Sequence, residues 1–150
     1  MASEAQAAVA YECGSLLARR GATVVNGGLG GVMAACAAGV RDAGGVCVAL
    51  LPGADPDDAD PAVTIALATG MGEMRNALIA RSAAAVIAIG GGWGTLSEIA
   101  FAMRIGRPVA LLDSWELHAP GGEEGSALLH RASGAADAVD WVLIQIDALP

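Results

Sequence analysis

Lysine is missing from this chain: all eight basic residues are arginine. Without lysine there is no internal Schiff base with pyridoxal phosphate and no Walker A lysine. Aromatic residues make up only 3% of the chain, so Ala, Val, Ile and Leu must fill the core that 55% hydrophobic content implies. Positive charge is also short. Eight basic against sixteen acidic residues leave a net charge of −8, which repels a polyphosphate and removes nucleic acid from the expected partners. The longest uncharged stretch, Gly21 to Val40, holds Asn26 and six glycines and reads as strand, turn and helix. No signal-peptide pattern is read at the start, and no membrane partner is expected.

Cys13, Cys36 and Cys47 are odd in number, lack metal-ligand spacing and stand in apolar runs. They read as buried reduced thiols, which points to the cytoplasm. At 150 residues the chain is expected to form a single domain, residues 1–150. A domain of that size buries about 68–70% of the surface its unfolded form exposes.

Ser3 and Gln6 form a capping-box pattern ahead of an Ala-rich helix that Gly21 stops. Strands are expected at Thr23–Val25, Val46–Leu51, Val63–Ala68, Ala85–Ile89, Pro108–Leu112 and Trp141–Ile146. Helices are expected from Val32 to Gly44-Gly45, over Gly72–Ser82, over Thr95–Ile105, and as a short piece at Ser126–Arg131. Asp55, Asp57, Asp58 and Asp60 crowd a Pro-containing loop without the glycine and glutamate of an EF-hand, so no metal is expected there. Strands alternating with helices mean an α/β sandwich on a mostly parallel sheet.

Two glycine clusters, Asn26-Gly27-Gly28-Leu29-Gly30-Gly31 and Gly90-Gly91-Gly92-Trp93-Gly94, each fall between a strand and a helix. In an open parallel sheet ligands bind past the carboxyl ends of the strands, where glycine lets the backbone approach an anion and a helix start attracts phosphate. Tight βα turns explain one such cluster as well as a site does; two at corresponding places favour a phosphate or nucleotide site. Neither cluster is a dinucleotide fingerprint, because Met33 and Thr95 stand where the last glycine should be. Pro52 also replaces the acidic residue that would hold a ribose hydroxyl, so an NAD enzyme is disfavoured.

Thr95 to Glu98 reads locally as a T-x-x-E capping box, with Glu98 reaching back to the Thr95 amide. Arg75 opens a helix, where the dipole disfavours a cation. A functional arginine and a surface arginine paired with Glu73 or another carboxylate explain that placement equally. Trp93 stands inside the second glycine loop, where stacking on a base and packing at a dimer interface are equally good accounts. His118 and His130 have no ligand spacing and read as surface or partly packed residues, and Arg81 reads as structural.

Taken together, Gly27-Gly28-x-x-Gly31-x-Met33, Arg75, and Gly91-Gly92-x-Gly94-Thr95-x-x-Glu98 resemble the LONELY GUY family, long misnamed lysine decarboxylases. The likeness covers roughly Ala8 to Leu112 and implies a Rossmann-like three-layer sandwich that forms a homodimer. Active members hydrolyse the N-glycosidic bond of cytokinin-type or other purine nucleoside 5′-monophosphates without a cofactor. By that likeness Arg75 and Glu98 are the catalytic pair. The amides of Gly91, Gly92, Gly94 and Thr95 hold the phosphate, while Gly27, Gly28, Gly31 and Met33 line the nucleotide pocket. A carboxylate at Glu98 would stabilise charge at the ribose and orient water, and Arg75 would keep it ionised.

Asn76 stands where the family has lysine, and Gly90 where it has proline. Both changes resemble the branch containing the molybdenum-cofactor carrier proteins, which bind a phosphorylated pterin and need perform no hydrolysis. That alternative makes molybdenum cofactor the ligand of the same cradle. Family members also open with a strand and glycine loop before the first helix, whereas Met1-Ala2-Ser3 stands where that strand should have ended. Because that strand is central in the family, its absence implies a gap in the sheet or a rearranged pairing.

Overall fold

The computed structural model describes residues 2–117 and 127–149. Its elements run α1 (Glu4–Arg19), β1 (Val24–Asn26), α2 (Val32–Asp42), β2 (Cys47–Leu51), β3 (Ile65–Ala68), α3 (Arg75–Ser82), β4 (Val86–Ile89), α4 (Trp93–Arg104), β5 (Val109–Leu112), β6 (Leu129–Arg131) and α5 (Ala135–Asp147). The capping box at the start of α1 forms as the sequence requires: the Gln6 amide donates to Ser3 Oγ, and the Ser3 amide to Gln6 Oε1.

All described strand pairs are parallel, and they form two three-stranded sheets, β1-β2-β3 and β4-β5-β6. Alternation along β5 shows how the second sheet is covered. Ala110 and Leu112 pack with α1 and α5, while Val109 and Leu111 pack with α3 and α4. A strand buried on both faces loses its polar alternation, which is why β5 reads as an unbroken apolar run. In the first sheet, Ala37 and Val40 of α2 meet Cys47 of β2 and Val24 of β1. The architecture is the expected Rossmann-like α/β sandwich.

Its sheet is divided. No described strand pairs with the outer edge of β1 or of β4, yet α1 packs against both strands. The described strands form two separate sheets, with no ladder joining β1 to β4. The Val24 amide donates to Val46 O, and the amides of Val86 and Gly90 donate to Pro108 O and Leu112 O. Parallel ladders alternate direction residue by residue, so the backbone groups of Val25, Ile87 and Ile89 point away from their sheets.

Two sequence expectations fail, and a third is refined. The expected strand Trp141–Ile146 is the second half of helix α5, because the apolar period begins upstream at buried Ala135, Ala138, Val139 and Val142. Leu129–Arg131, expected as helix, is strand β6, held by its ladder to β5; Ser126 lies outside the described residues. The expected helix Gly72–Ser82 divides into a 3-10 turn, Gly72–Met74, followed by α3.

Candidate functional site

Both glycine loops lie at the carboxyl ends of strands, one after β1 and one after β4. Asn26 fastens the first: its Oδ1 accepts from the Gly28 amide at 2.8 Å, and its Nδ2 donates to Met33 O at 3.1 Å. Gly31 is the N-cap of α2 and supplies no side chain, so the first amides of that helix lack a side-chain acceptor. Gly27, Gly28, Gly31 and Met33 thus share one loop and helix start.

The second loop opens α4 differently from the local sequence reading. The N-cap is Gly92, with no side-chain cap, and the helix begins at Trp93. Thr95 is therefore the third helical residue, and the T-x-x-E capping box does not form. Leu96 makes the first intrahelical bond, to Gly92 O at 3.0 Å. The amides of Gly92, Trp93, Gly94 and Thr95 are left without intrahelical partners, which is the arrangement that binds anions at helix starts. Trp93 contributes an amide to this set that the sequence reading gave to Gly91 instead. A glycine N-cap was the missed signal.

Freed from capping, Glu98 faces Arg75. Arg75 Nη1 lies 3.7 Å from Glu98 Oε1, too long for a hydrogen bond but close enough for an ion pair. Arg75 is 7% exposed, and its Nε has no hydrogen-bond partner. Glu73 is exposed and is not its partner. The guanidinium lies directly against Gly27, where any Cβ would collide with it. One side chain from α3 therefore joins the first glycine loop to α4, bridging the divided sheet at its carboxyl edge.

Burial governs the titration of this pair. Loss of solvent pushes the Glu98 carboxyl up to about 7, although Arg75 pulls it down. Burial also lowers Arg75, against the pull of Glu98. Arg75 acts on Glu98 in the expected direction, lowering it, but burial outweighs that pull and leaves the carboxyl raised to about 7.

Asn76 is the other buried polar side chain among the described residues, 7% exposed. Its Nδ2 donates to Ser97 Oγ at 3.0 Å, and Ser97 Oγ donates to Gly94 O at 2.7 Å. This relay pins the second loop to α3. An amide at this position fits a structural brace, where a lysine would carry a charge.

The remaining candidates lie elsewhere. His130 contacts Asp137 Oδ1 at 2.8 Å and stacks on Trp141, tying β6 to α5. Arg81 is exposed, and His118 lies outside the described residues. Asp55 and Asp60 accept from the amides of Asp57 and Ala62 in local turns. Burial pushes the thiols of Cys13 and Cys36 up to about 12 and that of Cys47 to about 11. No described helix is long and apolar enough to cross a membrane.

Known proteins share this fold. The molybdenum cofactor binding protein of Rippkaea orientalis superposes with a TM-score of 0.86 at 31% identity, over 97% of this chain and 91% of that one. The Moco carrier protein of Chlamydomonas reinhardtii gives a TM-score of 0.85 at 32% identity, over 99% and 91%. An uncharacterized protein of Archaeoglobus fulgidus is 47% identical over 104 residues, which span 69% of this chain and 68% of the relative. The SLOG cluster4 family matches residues 1–139. The chain belongs to the SLOG cluster4 family, in a Rossmann-like branch that resembles the molybdenum-cofactor carrier proteins.

Proposed function

We propose that this protein binds a phosphorylated pterin, the molybdenum cofactor, as cargo and delivers it intact. The observation that carries this reading is the uncapped start of α4. There the amides of Gly92, Trp93, Gly94 and Thr95 have no intrahelical partners, and buried Arg75 has an unpartnered Nε. Such a start suits a phosphate monoester, whose charge the helix dipole and a guanidinium both favour. The fit extends to chemistry: a carrier needs a grip and no nucleophile. Likeness over nearly the whole chain to a molybdenum cofactor binding protein of one organism and a Moco carrier protein of another supports the same reading. The single domain and homodimer inferred from the sequence are part of this proposal.

In this function the amides at α4 hold the phosphate and the Asn76–Ser97 relay keeps them in place. Arg75 balances the charge from the side of α3. The cradle fixes one end of the cargo and leaves the other to be handed on. The test is co-purification. Protein expressed in cells that make molybdenum cofactor should carry molybdenum and a fluorescent oxidised pterin in equal amounts, and should activate a cofactor-free molybdoenzyme. Absence of both pterin and activation would refute the carrier.

The second reading, phosphoribohydrolase action on a purine nucleoside 5′-monophosphate, is favoured by the approach of Arg75 to Glu98. A Glu98 carboxyl raised to about 7 is also compatible with a general base, so the titration does not separate the two readings. Incubation with AMP and a cytokinin monophosphate decides: the carrier releases no base, whereas the hydrolase releases base that Glu98→Gln abolishes.

A further inference from the structure

We propose that Trp93, braced by Trp115, is the shelf on which the flat ring of the bound phosphate ester stacks, so that this site selects fused heteroaromatic phosphates over sugar phosphates. The inference rests on the phosphate cradle described under Proposed function and adds the recognition of the ring. Trp93 is the first residue of α4, so its amide belongs to the cradle while its indole meets Trp115. That indole is 79% exposed in a chain where only 3% of residues are aromatic.

The ring is held in place. Trp115, from the segment after β5, lies 5.2 Å from Trp93 between ring centroids at a tilt of 41°. Trp115 Nε1 reaches Gly92 O at 3.4 Å, and a Cβ at Gly91 would stand 2.8 Å from the same nitrogen. Trp115 thus rests on the two glycines that form the turn, and Trp93 rests on Trp115. The tilted contact orients the Trp93 ring and leaves most of it open. A rigid open indole stacks a π-system at little entropic cost, because few rotamers are lost on binding. Ring recognition by stacking also tolerates variation in ring substituents, since every such ring presents a π-face.

Calorimetric titrations of the full chain with 6-hydroxymethylpterin monophosphate and with ribose 5-phosphate test this, for wild type, Trp93→Ala and Trp93→Phe. Wild type should bind the pterin phosphate more tightly. Trp93→Ala should weaken it by about tenfold to a hundredfold, the range of single aromatic stacks. Ribose 5-phosphate should change less than twofold, and Trp93→Phe should keep most of the pterin affinity. Equal loss for both ligands, or none for either, overturns the shelf. A change of association state on sedimentation of Trp93→Ala also overturns it, by showing that the ring packs against a second copy. Wild type binding both ligands equally refutes ring recognition and leaves the cradle standing. Wild type binding neither ligand refutes the cradle, and the shelf with it.

Discussion

The guanidinium of Arg75 occupies the space that a side chain at Gly27 would need. These residues belong to different halves of a divided sheet region, since Gly27 follows β1 and Arg75 opens α3 ahead of β4. Their contact sets where the second glycine loop stands relative to the first, and Glu98 on α4 completes the contact from the other side at 3.7 Å.

Gly27→Ala should therefore act as an overpacking variant at a buried cation. Displacing Arg75 should lower stability by about 1–3 kcal/mol, read from the urea midpoint at constant slope, and weaken phosphate-ester binding in the same variant. Unchanged binding would detach Arg75 from the cradle.

Binding should show a maximum with pH. A phosphate monoester gains its second charge near pH 6, by the ordinary value of about 6, so affinity rises there. Above about 7 Glu98 ionises and repels the dianion, so affinity falls. Calorimetry from acid to alkaline pH should show both limbs, and Glu98→Gln should keep the acid limb while losing the alkaline one.

The same carboxyl should also tilt the stability of the unliganded protein. Its folded pKa of about 7 lies above the ordinary 4.5. Folding thus favours the protonated form, and the contribution is complete below about pH 4.5 and lost as pH rises through about 7. Thermal midpoints should fall by a few degrees across that window, roughly 2–4 °C per kcal/mol. Arg75→Met should leave Glu98 buried without its counter-ion and move the loss to higher pH, which carboxyl NMR resolves.

Asn76→Ala should free Ser97 Oγ and loosen Gly94. We expect a stability cost of about 1–3 kcal/mol and a several-fold loss of phosphate affinity. Asn76→Asp should not restore them, since the donor to Ser97 is missing at neutral pH.

The three cysteines should be inert in the folded state. With thiols raised to about 11 and 12, almost no thiolate exists at pH 8. Iodoacetamide should label none of them in native buffer and all of them in denaturant, as mass spectrometry will read.

Local chemistry determined a good share of this structure. The Ser3–Gln6 box, the apolar runs of β2, β4 and β5, and the two glycine loops lie within short windows whose period and turn residues are visible in one dimension. Arg75 announced itself as a cation at the start of a helix. The ladder, by contrast, made β6 from Leu129–Arg131, and a period starting at Ala135 overrode the strand-like run Trp141–Ile146. Such outcomes depend on which surface is available to cover, and that is a property of the assembled layers.

What the sequence by itself determined is the α/β order as far as β5 and the place of both glycine loops, because the strand and turn signals there lie among neighbours along the chain. Only the tertiary structure decided that Glu98 turns from its own helix cap toward Arg75, that burial brings its titration near neutrality, and that the sheet stands divided between β1 and β4. Desolvation and strand pairing are made by residues far apart in sequence, so no local window contains them.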